Sequence, residues 1–445
     1  MRIYLESLGC ARNQVDSESM LALLRGAGAR VTDDPAGAEV IVVNTCSFIE
    51  AAVDESIDAI LALARLKTEG ACRRLIVTGC LPERYREQLV AELPEVDLFL
   101  GTGAYDRIVA AVLEEATIGA CLLPDPDTID TTAPMHRQPL TPWAAYLKIA
   151  EGCGRRCTYC IIPRLRGRQK SRPRTTLLAE ARALIAAGAR ELTLVAQETT
   201  AYGTDRTPPD HLAGLLTALA GVDPTVWIRV MYGHPESLQP AVLDAMAAHD
   251  NLCPYLDLPV QHASARILRR MGRRYDSDDL LRLLERIRRT VPDAALRTTV
   301  LVGFPGETDD DAEQLLAFIR QAGFDHLGAF VYSDADDLPA HRLDGHVPPD
   351  IAQERLEEVM AAQQTVSAQR LARHLGRQAT VLLEEPPGED GLWVGRTRHQ
   401  APEVDGVTFV RCPADADHRP RPARGACIPV RILETLDYDL IAEAL

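Results

Sequence analysis

The chain predicts an α/β protein in three parts. An amino-terminal open parallel sheet carries helices on both faces. A partial (β/α)6 barrel follows, and a small antiparallel β-barrel of oligonucleotide-binding type ends the chain. Two observations carry this. Apolar runs of strand length alternate with helical patterns over residues 1–120 and again over 143–345, the pattern of βαβ units. Past residue 377 the pattern changes to short β runs broken by turns, about five of them, which suits a small closed barrel.

In the first part, strands are expected near residues 2–8, 40–44, 75–78 and 97–100. Helices are expected near residues 14–26, 47–67, 83–93 and 105–116, the first opened by Asn13 and early acidic residues. Cys10 follows the first strand, Cys46 the second and Cys80 the third. Open α/β sheets take ligands beyond the carboxyl ends of their strands. Three thiols placed there meet at one edge, and we read them as a metal cluster with an open iron; the alternative is three separate buried cysteines. Residues 121–142 hold five prolines and little apolar periodicity, so they read as an extended linker.

In the second part, strands are expected near residues 145–150, 191–196, 226–231, 255–259, 295–302 and 326–332. Barrel sites lie where strands end, and the informative residues follow the strands. Cys153, Cys157 and Cys160 come after the first, spaced C-x3-C-x2-C. Three thiolates in one short loop suit an iron–sulfur cluster whose fourth iron stays open. Structural zinc is the alternative, but it wants four protein ligands. Gln197 and Glu198 follow the second strand, Tyr232 and His234 the third, Gln261 and His262 the fourth, and Gly303–Glu307 the fifth. Glu198 reads either as a ligand-binding acid or as a salt-bridged one. His262 reads as a cofactor or substrate contact or as a hydrogen-bonded structural group. The arginine-rich run from Arg164 to Arg172 adjoins the cysteine loop and is expected to supply electrostatics on the substrate side.

A long helix is expected within residues 346–376, ended by Gly376. The final part, 377–445, carries more acids than bases, with Glu384, Glu385, Glu389 and Asp390 in one turn. The chain has 445 residues, a net charge of -16 and 46% hydrophobic residues, which suits a globular protein of several domains. Its 11 cysteines are too sparse for a disulfide framework and fit reduced thiols, some of them holding metal. No apolar run approaches a membrane span, and Met1–Glu6 lacks a signal-peptide pattern, so a cytoplasmic location without membrane attachment is expected. The acidic balance favours a basic partner over a polyanion.

The loop Cys153–Cys160, with aromatic Tyr159 before its last cysteine, resembles the cluster motif of the radical S-adenosylmethionine (radical SAM) superfamily. That resemblance implies a 4Fe–4S cluster whose open iron binds S-adenosyl-L-methionine. It places Tyr159 near the adenine, and Gln197 and Glu198 at the methionine amino group; Gln261, by its place at a strand end, reads as a cofactor or substrate contact. Ser7–Cys10, Asn44–Cys46 and Thr78–Cys80 together with that loop resemble the methylthiotransferase family, and the last part its TRAM domain. Three stretches, Ser7–Glu18, Asp257–Ser264 and Gly395–Gly406, resemble the members that modify small-subunit ribosomal protein twelve. The implied reaction replaces a hydrogen on an aspartate β-carbon with a methylthio group. It uses two 4Fe–4S clusters, two S-adenosyl-L-methionine molecules and an electron donor such as flavodoxin or ferredoxin. The substrate is expected to be ribosomal protein twelve, free or within the ribosome, rather than tRNA. The acidic last domain is expected to dock it beside the target aspartate.

Overall fold

The computed structural model describes residues 1–113, 120–135, 137–389, 391–412 and 422–445. Asp390 and the end of the helix expected over 105–116 lie outside the described residues.

The first sheet contains β1 (Arg2–Ser7), β2 (Arg30–Val31), β3 (Val40–Thr45), β4 (Arg74–Gly79), β5 (Leu98–Leu100) and β6 (Ala120–Leu122). Their order is β2-β1-β3-β4-β5-β6, and every pair is parallel. β3, Val-Ile-Val-Val-Asn-Thr, is buried along its whole length, as a strand covered on both faces requires. The last strand falls partly within the stretch read as linker: Cys121 and Leu122 pair with Phe99 and Leu100. The helix expected near 83–93 is broken into Cys80–Tyr85 and Gln88–Glu92. Arg86 between them takes a positive φ of 53°, which no α-helix accommodates.

The second sheet contains β7 (Ala144–Lys148), then, beyond the short antiparallel pair β8 (Ala150–Glu151) and β9 (Lys170–Ser171), β10 (Glu191–Val195), β11 (Trp227–Val230), β12 (Leu252–Asp257), β13 (Ala295–Val302) and β14 (His326–Val331). The six long strands are ordered β14-β13-β12-β11-β10-β7 and all run parallel. They form the expected partial barrel, with helices packed on its outer face.

The helix Pro349–Leu371 leads to a closed barrel of β15 (Gln378–Glu385), β16 (Leu392–Thr397), β17 (Thr408–Arg411), β18 (Cys427–Thr435) and β19 (Leu440–Ala444). One pair departs from the antiparallel expectation. β19 turns back from β18 and closes the barrel against β17, which runs the same way.

One apolar cluster joins all three parts: Ala11 and Val15, then Tyr146, Trp227 and Tyr255, then Leu382 and Ala401. The closed barrel sits on the starts of the central strands. Arg396 donates to Glu191 at 2.7 Å and to both oxygens of Glu384 at 2.7 and 2.8 Å. Arg229 donates to the other oxygen of Glu191 at 2.6 Å. Burial alone would raise the pKa of Glu191; Arg229 and Arg396 outweigh it and hold the carboxyl at about 2. The loop after β16 adds Asp405, which accepts from the Tyr255 hydroxyl at 2.6 Å. This corrects the expectation for the acidic turn. Glu384 is a partner of a buried arginine, and the domain covers the end of the barrel opposite the cysteine loop.

Arg396→Ala leaves the fully buried Glu191 with Arg229 as its single cation. The change should cost roughly 3–5 kcal/mol and speed hydrogen exchange in β15 and β16. Unchanged protection there would mean that the apolar contacts of Leu382 and Ala401 suffice to dock the domain.

Candidate functional site at the barrel mouth

β1, β3 and β4 are neighbours in parallel register, with Ser7 beside Asn44 and Thr45 beside Gly79. Cys10, Cys46 and Cys80 therefore emerge side by side, and their sulfurs are close enough to influence one another electrostatically. The turn before Cys10 depends on Gly9, whose φ is +89°; a Cβ there would lie 2.6 Å from the Cys46 Cβ. Burial pushes the Cys80 thiol up to about 12. Cys10 moves the other way, because Arg12 and Arg166 outweigh its burial.

The second trio starts at β8. Gly152, at φ +75°, lets the chain pass the carbonyl of Arg168, which a Cβ would meet at 2.2 Å. The loop is tied down by Cys153 N–H to Gly167 O at 3.1 Å and Cys160 N–H to Cys157 O at 3.1 Å. The Arg155 N–H points at the Cys153 sulfur, 3.4 Å away. Tyr159 is packed between Arg273, which donates to its hydroxyl at 2.6 Å, and Phe304, edge-on at 6.4 Å. Phe304 in turn meets Tyr332 at 5.3 Å, so the loop Gly303–Glu307 buttresses the cysteine loop. Among the described residues no three His, Cys, Asp or Glu side chains close on one ion. A cluster is a different geometry, since each of its thiolates takes a separate iron.

The other expected site residues line the same mouth in different ways. Gln197 donates to Glu151 at 2.8 Å, while its Oε1 is buried without a hydrogen-bond partner. Glu198 accepts from Arg155 at 2.8 and 3.0 Å and from Ser237 at 2.5 Å, so it stands as a salt-bridged acid here. Gln261 has a positive φ of 69° and Tyr232 one of 59°. Both are non-glycine residues in a sparsely populated region, at the ends of adjacent strands, where such backbone often marks a site. His262 is fully buried, with Nδ1 accepting from the Ser264 N–H at 2.9 Å, and burial lowers its pKa to about 4.

Between the two trios lies a buried charge network that sequence reading missed. Arg166 donates to Asp16 at 2.7 Å, to Glu151 at 3.3 Å, to the side chain of Asn13, and to the Cys80 sulfur at 3.7 Å. Lys148 joins the same two acids, meeting Glu151 at 2.7 Å and also pairing with Asp16. Burial alone would raise Glu151, but Lys148 and then Arg166 hold its carboxyl well below the usual range. The arginine-rich run is thus divided: Arg166 and Arg172 are buried, with Arg172 pairing with Glu180 at 2.6 Å, while Arg164 and Arg168 are exposed. A usable signal was the charge inside an apolar stretch, Lys148 in the first barrel strand.

Three family models match in chain order: uncharacterized protein family UPF0004 over residues 2–101, the radical SAM superfamily over 147–319 and the TRAM domain over 375–445. A structure of the radical S-adenosylmethionine methyltransferase TsrM from Kitasatospora setae shares the fold. Its TM-score is 0.58 at 15% identity, covering 81% of this chain and 90% of that one. Curated relatives are far nearer. The ribosomal protein uS12 methylthiotransferase of Desulfosudis oleivorans is 56% identical, with 100% of both chains covered. The one from Anaeromyxobacter sp. strain K is 46% identical, covering 100% of this chain and 93% of that one. The chain belongs to the ribosomal protein uS12 methylthiotransferase family of radical SAM enzymes.

Arg166→Met would leave Asp16 and Glu151 sharing Lys148 alone. Removing one partner of a buried ion group should cost roughly 3–5 kcal/mol. The loss should appear as faster hydrogen exchange in α1 (Ala11–Gly26). Wild-type protection of α1 would show that apolar packing alone joins the two sheets.

Proposed function

We propose that this enzyme replaces a hydrogen on the β-carbon of an aspartate in ribosomal protein uS12 with a methylthio group, using two 4Fe–4S clusters and two molecules of S-adenosyl-L-methionine. The observation that carries this reading is the shared opening of the two cysteine trios. They belong to different folding units, yet Arg12 beside Cys10 reaches the carbonyl of Ala196 at the end of β10, 3.2 Å away. Cys153, Cys157 and Cys160 hold the cluster that takes S-adenosyl-L-methionine, and Cys10, Cys46 and Cys80 hold the other. When bound, these groups supply hydrogen abstraction and sulfur and methyl transfer, which no side-chain base can perform on an unactivated carbon.

The protein's own part is holding and shielding. Tyr159, backed by Phe304 and Tyr332, forms an aromatic wall against which an adenine fits. The orphaned Oε1 of Gln197 is an acceptor suited to an ammonium group. Glu198, held by Arg155 and Ser237, would take the same group by giving up one of those contacts, and Gln261 offers its amide from the next strand end but one. The basic substrate meets an acidic protein of net charge -16, an attraction that a tRNA would not share. The electron comes from a flavodoxin or ferredoxin in the cytoplasm, and uS12 is met free or within the ribosome. No helix among the described residues is long and apolar enough to cross a membrane.

Reconstituted enzyme, reductant and S-adenosyl-L-methionine should place a methylthio group on uS12, read by mass spectrometry of its peptides. Modification of a tRNA adenosine with uS12 untouched would contradict the substrate. Cys157→Ala should abolish 5′-deoxyadenosine formation; persistence would remove the loop from its role. Cys46→Ala should keep that formation but lose methylthiolation, and normal product would refute the second cluster.

A further inference from the structure

Arg12 differs from the other arginines around the mouth. Arg155, Arg166, Arg172 and Arg297 each pair with a carboxylate. Among the described residues Arg12 forms no ion pair. It donates to the Ala196 carbonyl at 3.2 Å, lies over the Tyr232 ring at 4.3 Å and is within hydrogen-bonding reach of the Cys10 sulfur. These contacts leave part of a five-donor fork unused. The residue keeps part of its surface exposed. Cys10 is the anionic group beside it, and a ligand carboxylate would engage the donors that Cys10 and Ala196 leave free.

Its position is equally specific. The reacting carbon must lie between the thiols beyond β1, β3 and β4 and the mouth of the partial barrel. Arg12 starts on the first of these walls and touches the second at the ends of β10 and β11. We propose that Arg12 binds the side-chain carboxylate of the substrate aspartate and so selects an acidic residue at the site of methylthiolation. This deepens the function proposed above and rests on it. A charge-assisted fork-to-carboxylate pair fixes the plane of the carboxylate next to the carbon that reacts. An asparagine offers one acceptor and no charge in the same place.

The test is binding without turnover. A short uS12 peptide spanning the target aspartate, and the same peptide with asparagine there, are titrated into cluster-loaded enzyme without reductant. Wild type should prefer the aspartate peptide roughly 10- to 100-fold, the range expected for a hydrogen bond to a charged group. Arg12→Met should erase that preference while iron content and the spectra of both clusters stay unchanged. Arg12→Lys should retain part of it. A full preference in Arg12→Met overturns the proposal, as does a wild type that does not discriminate. Should Arg12→Met lose iron, Arg12→Lys decides: a reduced preference supports the proposal, and an unchanged one with altered cluster spectra assigns Arg12 to the cluster alone. Wild-type enzyme that binds neither peptide and modifies tRNA would instead refute the substrate reading on which the proposal rests.

Discussion

The arrangement depends on a buried arginine. Arg166 sits where the first sheet meets the partial barrel, and its guanidinium bridges Asp16 and Asn13 from one unit, Glu151 from the other and the Cys80 sulfur. Charges buried this deeply persist only when several partners satisfy them, and such networks tend to specify one arrangement more than they stabilise it. Here the network ties Cys80 on the first sheet to Glu151, two residues before the Cys153 loop. Lys148 repeats the logic with the same two acids. A second latch, Arg84 on Asp337 at 2.7 Å with its other arm on the Ser47 carbonyl at 2.6 Å, closes the far side.

The opposite end of the barrel is closed by a different device. Glu191, Arg229, Arg396 and Glu384 form a chain of ion pairs, and Leu382 and Ala401 extend the apolar cluster that already contains Ala11 and Val15. A domain of oligonucleotide-binding shape is thereby held by its own charged residues. The acidic character that opposes a nucleic-acid groove is partly structural.

Much of this was legible in the chain. Parallel strands buried on both faces read as continuous apolar runs, and the strand-end rule located Cys10, Cys46 and Cys80 past β1, β3 and β4 and the Cys153 loop past β8. The three stretches resembling the uS12-modifying members are contact segments: Ser7–Glu18 enters the first helix, Asp257–Ser264 rims the mouth and Gly395–Gly406 supplies Arg396 and Asp405. What stayed hidden was pairing over long separations. Arg166 and Asp16 are 150 residues apart, and nothing local marks them as partners, so the arginine run read as electrostatics on the substrate side. Glu384 read as part of an acidic docking turn because its partner, Arg396, is on the next strand. Cys121 and Leu122 of β6 were read as linker because three residues paired at a sheet edge carry too little periodicity to register.

The central claim is that the buried network holds the two cysteine sets at one fixed separation across the mouth. Pulsed dipolar spectroscopy between the two reduced clusters of the full-length enzyme tests it most directly. A single narrow distance distribution, the same with and without S-adenosyl-L-methionine, is the result this account predicts. A broad or two-peaked distribution would contradict it, by showing that the first sheet moves as a unit independent of the barrel.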